Sequence, residues 1–120
     1  MIRINSDERD EKGYKVCDEQ TQYATFFVRP ATSRKIQEFM KAKQVDREKA
    51  ADDEIDYVIK GWENGDVGDE FDNILAVTRE NKVALANKQR ELYDYLVSKA
   101  LDYQKLVEEA LQQEKKDLGN

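Results

Sequence analysis

The chain has no histidine, one cysteine and one proline among its 120 residues. Without histidine it lacks the commonest general base and the commonest metal ligand. Cys17 stands alone, so no internal disulfide is possible, which fits a reducing cytoplasm. No histidine is present to activate its thiol as a nucleophile. There is no Gly-rich phosphate loop and no G-x-S-x-G. Carboxylate chemistry stays open with 26 acidic residues, but none lies in an apolar setting that would raise its pKa. These absences point away from an enzyme and from any cofactor or metal. No apolar run approaches a membrane span, and Met1-Ile2-Arg3-Ile4-Asn5 does not read as a signal peptide. Acidic and basic residues are interspersed around a net charge of −6, with no basic patch to neutralise phosphates. That argues against a nucleic-acid partner.

The scarcity of proline, with five glycines, leaves long stretches free of helix breakers. The length suits one domain with one modest core. The expected fold is mainly α, a small helical domain of about four to five helices with a short N-terminal β strand or hairpin. Residues 1–22 read as a flexible arm or weak hairpin, 23–116 as the single helical domain, and 117–120 as a frayed C-terminus. In the arm, Ile2 and Ile4 alternate on one side of a charged run and Tyr14 and Val16 on the other.

Tyr23-Ala24-Thr25-Phe26-Phe27-Val28-Arg29-Pro30 is the strongest strand signal, aromatic and β-branched, with Pro30 closing it. Such a strand either pairs with the N-terminal segment or offers an edge to another molecule. Thr32 or Ser33 caps a helix with a narrow face of Ile36, Phe39 and Met40, and Asp46 caps the next. In that second helix Ile55, Val58, Ile59 and Trp62 follow the i, i+3, i+4, i+7 spacing, and the pattern stops at Gly61-Trp62. A turn-rich run follows, Glu63-Asn64-Gly65-Asp66-Val67-Gly68-Asp69-Glu70. Thr78 then caps a helix containing Val83, Leu85 and Ala86, with a bend at Asn87-Lys88-Gln89. One long final helix places Leu92, Tyr93, Leu96, Ala100, Tyr103, Val107, Ala110 and Leu111 on one face. Tyr95, Leu106, Val97 and Leu101 lie outside that face, which widens the apolar arc to roughly 200°, against little more than 100° for a helix with one packed side. The helix is then either central to the domain or in contact with a second molecule. Those four residues and Phe27 are the candidate partner-binding positions.

Three other signals have blander readings. The acidic turn from Asn64 to Glu70 lacks EF-hand spacing and reads as a solvated turn. Trp62 is either a binding hot spot or a core residue, and its helical phase favours the core. Tyr93, Tyr95 and Tyr103 have Asp94 and Asp102 beside them instead of a basic groove, so packing is favoured over nucleic-acid stacking.

Taken together, Phe26-Phe27-Val28-Arg29-Pro30, Gly61-Trp62 with its Gly/Asp-rich turn, and Thr78-Arg79-Glu80-Asn81 resemble the tail assembly chaperones of long-tailed bacteriophages. The resemblance covers roughly residues 23–112, although the N-terminal arm and the final helix are longer than the family pattern. It implies a small helical protein of the infected host cytoplasm, absent from the mature virion. Such a protein binds the tape-measure protein, keeps it soluble, helps recruit the tail tube protein, and self-associates. It also implies a frameshifted longer form, with Glu114-Lys115-Lys116 as the place to look for an A-rich slip site. The alternatives are a phage structural component, such as a head–tail connector or minor tail protein, and a small helical adaptor unrelated to phage.

Overall fold

The computed structural model describes residues 1–118, with side chains through residue 116. It is mainly helical, with six α-helices and a small three-stranded antiparallel sheet. In chain order the elements are α1 (Asp7–Lys12), β1 (Tyr14–Val16), a 3-10 turn (Glu19–Thr21), β2 (Phe26–Val28), α2 (Ser33–Val45), α3 (Arg47–Val58), β3 (Ile59–Trp62), α4 (Arg79–Lys88), α5 (Arg90–Leu101) and α6 (Tyr103–Leu118).

Residues 5–21 are built into the domain and do not form a separate arm. The Ser6 side chain accepts from Arg9 N, and Asp7 and Glu8 suit the positive end of α1. Gly13, at φ +84°, turns the chain sharply into β1. Tyr14 and Val16 are buried, but they pair with β2 and not with Ile2 and Ile4, which stay exposed. The Tyr14 and Tyr103 hydroxyls donate to the Asp10 carboxylate, and Asn5 N donates to the Tyr103 hydroxyl, joining the start of the chain to α6.

The sheet order β1-β2-β3 makes β2 the central strand. Both its edges are paired: of the two expected outcomes, β2 takes the pairing with the N-terminal segment, through β1, and with β3 on its other side it leaves no edge for another molecule. The second partner comes from a stretch expected to be helical. α3 ends at Val58, and Ile59 to Trp62 continue as a strand. Ile55, Val58, Ile59 and Trp62 are all buried as the spacing required, with the last two reaching the core from the sheet. Arg29 fixes this helix-to-strand junction. Its guanidinium donates to the carbonyls of Asp56 and Tyr57, covering the C-terminal end of α3, and pairs with Glu11 at 3.0 Å. The Tyr57 hydroxyl donates to the Pro30 carbonyl at 2.7 Å.

The predicted caps are in place, with Thr32, Asp46 and Thr78 accepting from the backbone amides of Lys35, Lys49 and Asn81. The chain also bends at Gln89, between α4 and α5. The single final helix is two helices. Asp102 breaks it, and its carboxylate accepts from Lys105 N at the start of α6. The core lies between one sheet face and α5 and α6, with Phe26, Val28, Leu96, Ala100, Leu106 and Val107 buried in it. Lys82 is also buried, and its ammonium meets the Asp56 carboxylate at 3.0 Å. α6 continues to Leu118; the frayed end expected at 117–120 otherwise lies outside the described residues.

Candidate protein-binding surfaces

The five residues singled out from the sequence do not form one surface. Val97 and Leu101 do come together. With Ala31, Ile36, Phe39 and Val58 they line a mostly apolar groove of about 70 Å³ where α2, α3 and α5 meet. Leu101 is 53% exposed on its rim, and α2 also leaves Met40 exposed. α2 buries none of its residues fully, so it covers this side of the domain loosely.

Leu106 is a correction, being only 2% exposed. The break at Asp102 resets the helical phase, so a side chain that a continuous helix would place on the flank turns into the core. Tyr95 faces the N-terminal region and its hydroxyl donates to the Asp18 carboxylate. Burial and that bond push its pKa up to about 12. Phe27 is half-buried on the sheet face opposite the core, between Lys15 of β1 and Gly61 of β3. The other tyrosines of the supposed platform are packed: Tyr93 is buried, and Tyr103 meets Tyr14 edge to face at 6.5 Å. Trp62 is a core residue. It meets Phe26 edge to face at 6.2 Å, and its indole N–H donates to the Leu75 carbonyl.

A further surface escaped the sequence reading. Residues 67–75 form a small hairpin, with Leu75 N donating to the Val67 carbonyl, Asp69 N to the Asn73 carbonyl, and Gly68 bridged to Ile74. The Asp69 carboxylate holds its tip together by accepting from the amides of Phe71 and Asn73, both at 2.9 Å, and from the Asn73 side chain. These donors, led by the Asn73 amide, hold the Asp69 carboxyl below the usual range. The hairpin thus presents Phe71, 77% exposed, and Ile74, 61% exposed, on an ordered turn. Charge is also less evenly spread than the interspersed sequence suggested. Residues 61–78 contain Glu63, Asp66, Asp69, Glu70 and Asp72 and no lysine or arginine, which is five of the six net negative charges. None of the five makes an ion pair among the described residues. The missed signal was this one-sided charge beside Phe71 and Ile74.

A larger cleft of about 450 Å³ separates β1 from α6. Arg9, Lys15 and Lys99 there balance Asp18, Glu109 and Glu114, so its charge selects neither sign of partner. Among the described residues no group of three or more acidic or cysteine side chains is placed to hold a metal ion, and no helix is long and apolar enough to cross a membrane. No protein-family model, curated protein or solved structure matches the chain.

Proposed function

We propose that this chain is a tail assembly chaperone, a binding protein without catalysis. It binds the tape-measure protein in the infected host cytoplasm, keeps it soluble, helps recruit tail tube subunits, and leaves before the virion matures. The observation that carries the reading is the groove between α2 and α5. There Leu101 is exposed and Val97, Ile36 and Phe39 are only partly buried, so the apolar lining is not closed by the domain itself. A helical client can lay apolar side chains into a groove lined by helices, while the surrounding charge keeps the holder in solution. The resemblance of the Val28-Arg29-Pro30 and Thr78-Arg79-Glu80-Asn81 stretches adds the identity of the client, although in this chain Arg29 and Thr78 have structural roles.

Co-expression with the tape-measure protein tests the proposal. The expected result is a soluble complex that co-purifies, with the chain missing from purified virions. A client left insoluble rejects the holdase role. Recovery of the chain from virions favours a connector or minor tail protein.

A further inference from the structure

Between the hairpin of residues 67–75 and α4 runs a groove of about 270 Å³. Asn81, Ala84, Leu85, Lys88 and Gln89 line it from α4. They follow the i, i+3, i+4, i+7, i+8 spacing of one helical face, distinct from the face that buries Lys82 and Ala86. α4 thus has a second face that the domain leaves uncovered. Val67 and Leu75 line the groove from the hairpin, and with Leu85 they are only partly buried. A second cleft of about 310 Å³ adjoins it, sharing Val67, Gly68, Leu85 and Gln89 and reaching the 3-10 turn at Gln20. Charge sets this pair of clefts apart. Their lining carries Asp66, Asp69 and Glu70 against Lys88 alone. The groove between α2 and α5 sets Glu54 against Lys35, and the cleft beside β1 is balanced.

We infer that this groove binds a basic peptide segment of another protein, with apolar side chains of the segment on Leu75, Ala84 and Leu85 and its lysines or arginines facing Asp66, Asp69 and Glu70. Among the described residues no three of these carboxylates are placed to share one metal ion, so the charge suits cations spaced along a chain. The same charge repels nucleic acid and anionic lipid. The apolar floor calls for side chains that a free polyamine lacks. The groove shares no lining residue with the one at Val97 and Leu101, and is a second site independent of the proposed function.

Titration of the isotope-labelled full chain with a synthetic peptide of alternating lysine and leucine tests it, at a length of about eight residues, or about 26 Å when extended. Trp62 reports on the groove, because its indole N–H donates to the carbonyl of Leu75. The indole signal and the amides of Gly68, Ala84 and Leu85 are expected to shift as the peptide binds, and added salt weakens binding by screening the carboxylates. Peptides with serine for leucine, or glutamate for lysine, are expected to bind about tenfold more weakly or worse. Ala84→Arg places a cation and bulk in the groove from an exposed helical position, and is expected to weaken binding about tenfold. Glu70→Gln removes one carboxylate and is expected to weaken it about threefold. Gln37→Arg adds the same charge as Ala84→Arg on the exposed side of α2, and is expected to leave binding unchanged. Circular dichroism checks that all three variants are folded. No binding of the lysine–leucine peptide overturns the inference, as does binding that leaves the groove signals unmoved. Wild-type affinity in Ala84→Arg and Glu70→Gln also overturns it, as does equal loss in Gln37→Arg or equal binding of the serine peptide. Displacement of the peptide by calcium chloride assigns the carboxylates to an ion instead, and the same shifts on raising the chain concentration without peptide assign the groove to a second copy. Either result overturns it. A chain that fails these tests and still holds the tape-measure protein loses only this site and keeps the proposed function.

Discussion

On α5, Leu96 and Ala100 are buried under the sheet. On the hairpin of residues 67–75, Phe71 and Ile74 project into solvent although the turn beneath them is tied by three bonds to Asp69. Both regions are ordered and both carry large apolar side chains. α5 is held by what its side chains bury, and the tip of the hairpin by backbone and carboxylate hydrogen bonds that leave Phe71 and Ile74 unused, while Val67 at its base packs against the core. The ordering of the hairpin thus does not depend on hiding Phe71. An apolar group kept outside by local hydrogen bonding remains available to a partner.

This contrast can be tested by substitution. Leu96→Ala is expected to lose about 2–5 kcal/mol, as full burial without room to collapse dictates. Urea unfolding measures it, and a loss well under that range would show a looser α5 core. Gly13→Ala is expected to cost about 1–3 kcal/mol. At φ +84° the added Cβ would lie 3.2 Å from the Lys60 Cβ and 3.3 Å from the Phe27 Cβ. Tyr93→Phe should leave stability unchanged or raise it by about 1 kcal/mol, because burying an unbonded hydroxyl costs free energy. The Tyr93 hydroxyl is buried without a hydrogen-bond partner among the described residues. A clear loss would reveal a partner for it, such as a bound water.

The exposed side should respond least. Phe71→Ala and Leu101→Asp are each expected to change stability by no more than about 0.5 kcal/mol. Leu101→Asp should weaken client co-purification while far-ultraviolet circular dichroism stays unchanged. Lost helicity would make Leu101 a core residue and erase the contrast. Acid should loosen the hairpin. The Asp69 pKa is lowered from 3.8, so the stabilisation is present above that value and is lost as pH falls from it through the lowered value. Amide exchange at Phe71 and Asn73 should rise over that window before exchange on α5 does. Simultaneous loss would show that the hairpin and the core open as one unit.

Much of the helical part was legible because caps act over three or four residues. Thr32, Asp46 and Thr78 each accept the amide three positions on, and that spacing is present in the sequence. The Ser6 cap of α1 was missed because Asp7, Glu8, Asp10 and Glu11 show no apolar period. The run from Ile55 to Trp62 was misread because its apolar spacing fits a helix throughout, while Phe26 and Val28 offered a strand partner for its second half. At the candidate surfaces, Val97 and Leu101 were legible as off-face residues. Leu106 was not, because the Asp102 cap resets the phase. The hairpin was legible only in part, as an acidic turn.

The sequence by itself determined the mainly helical character, three of the caps and the identity of most core side chains, because these depend on composition and on hydrogen bonds between near neighbours. Only the tertiary structure decided that β2 would be enclosed between β1 and β3, that Leu106 would turn inward, and that Phe71 would stay outside. Each of those outcomes depends on which distant segment packs against a side chain, and packing between distant segments has no local signature.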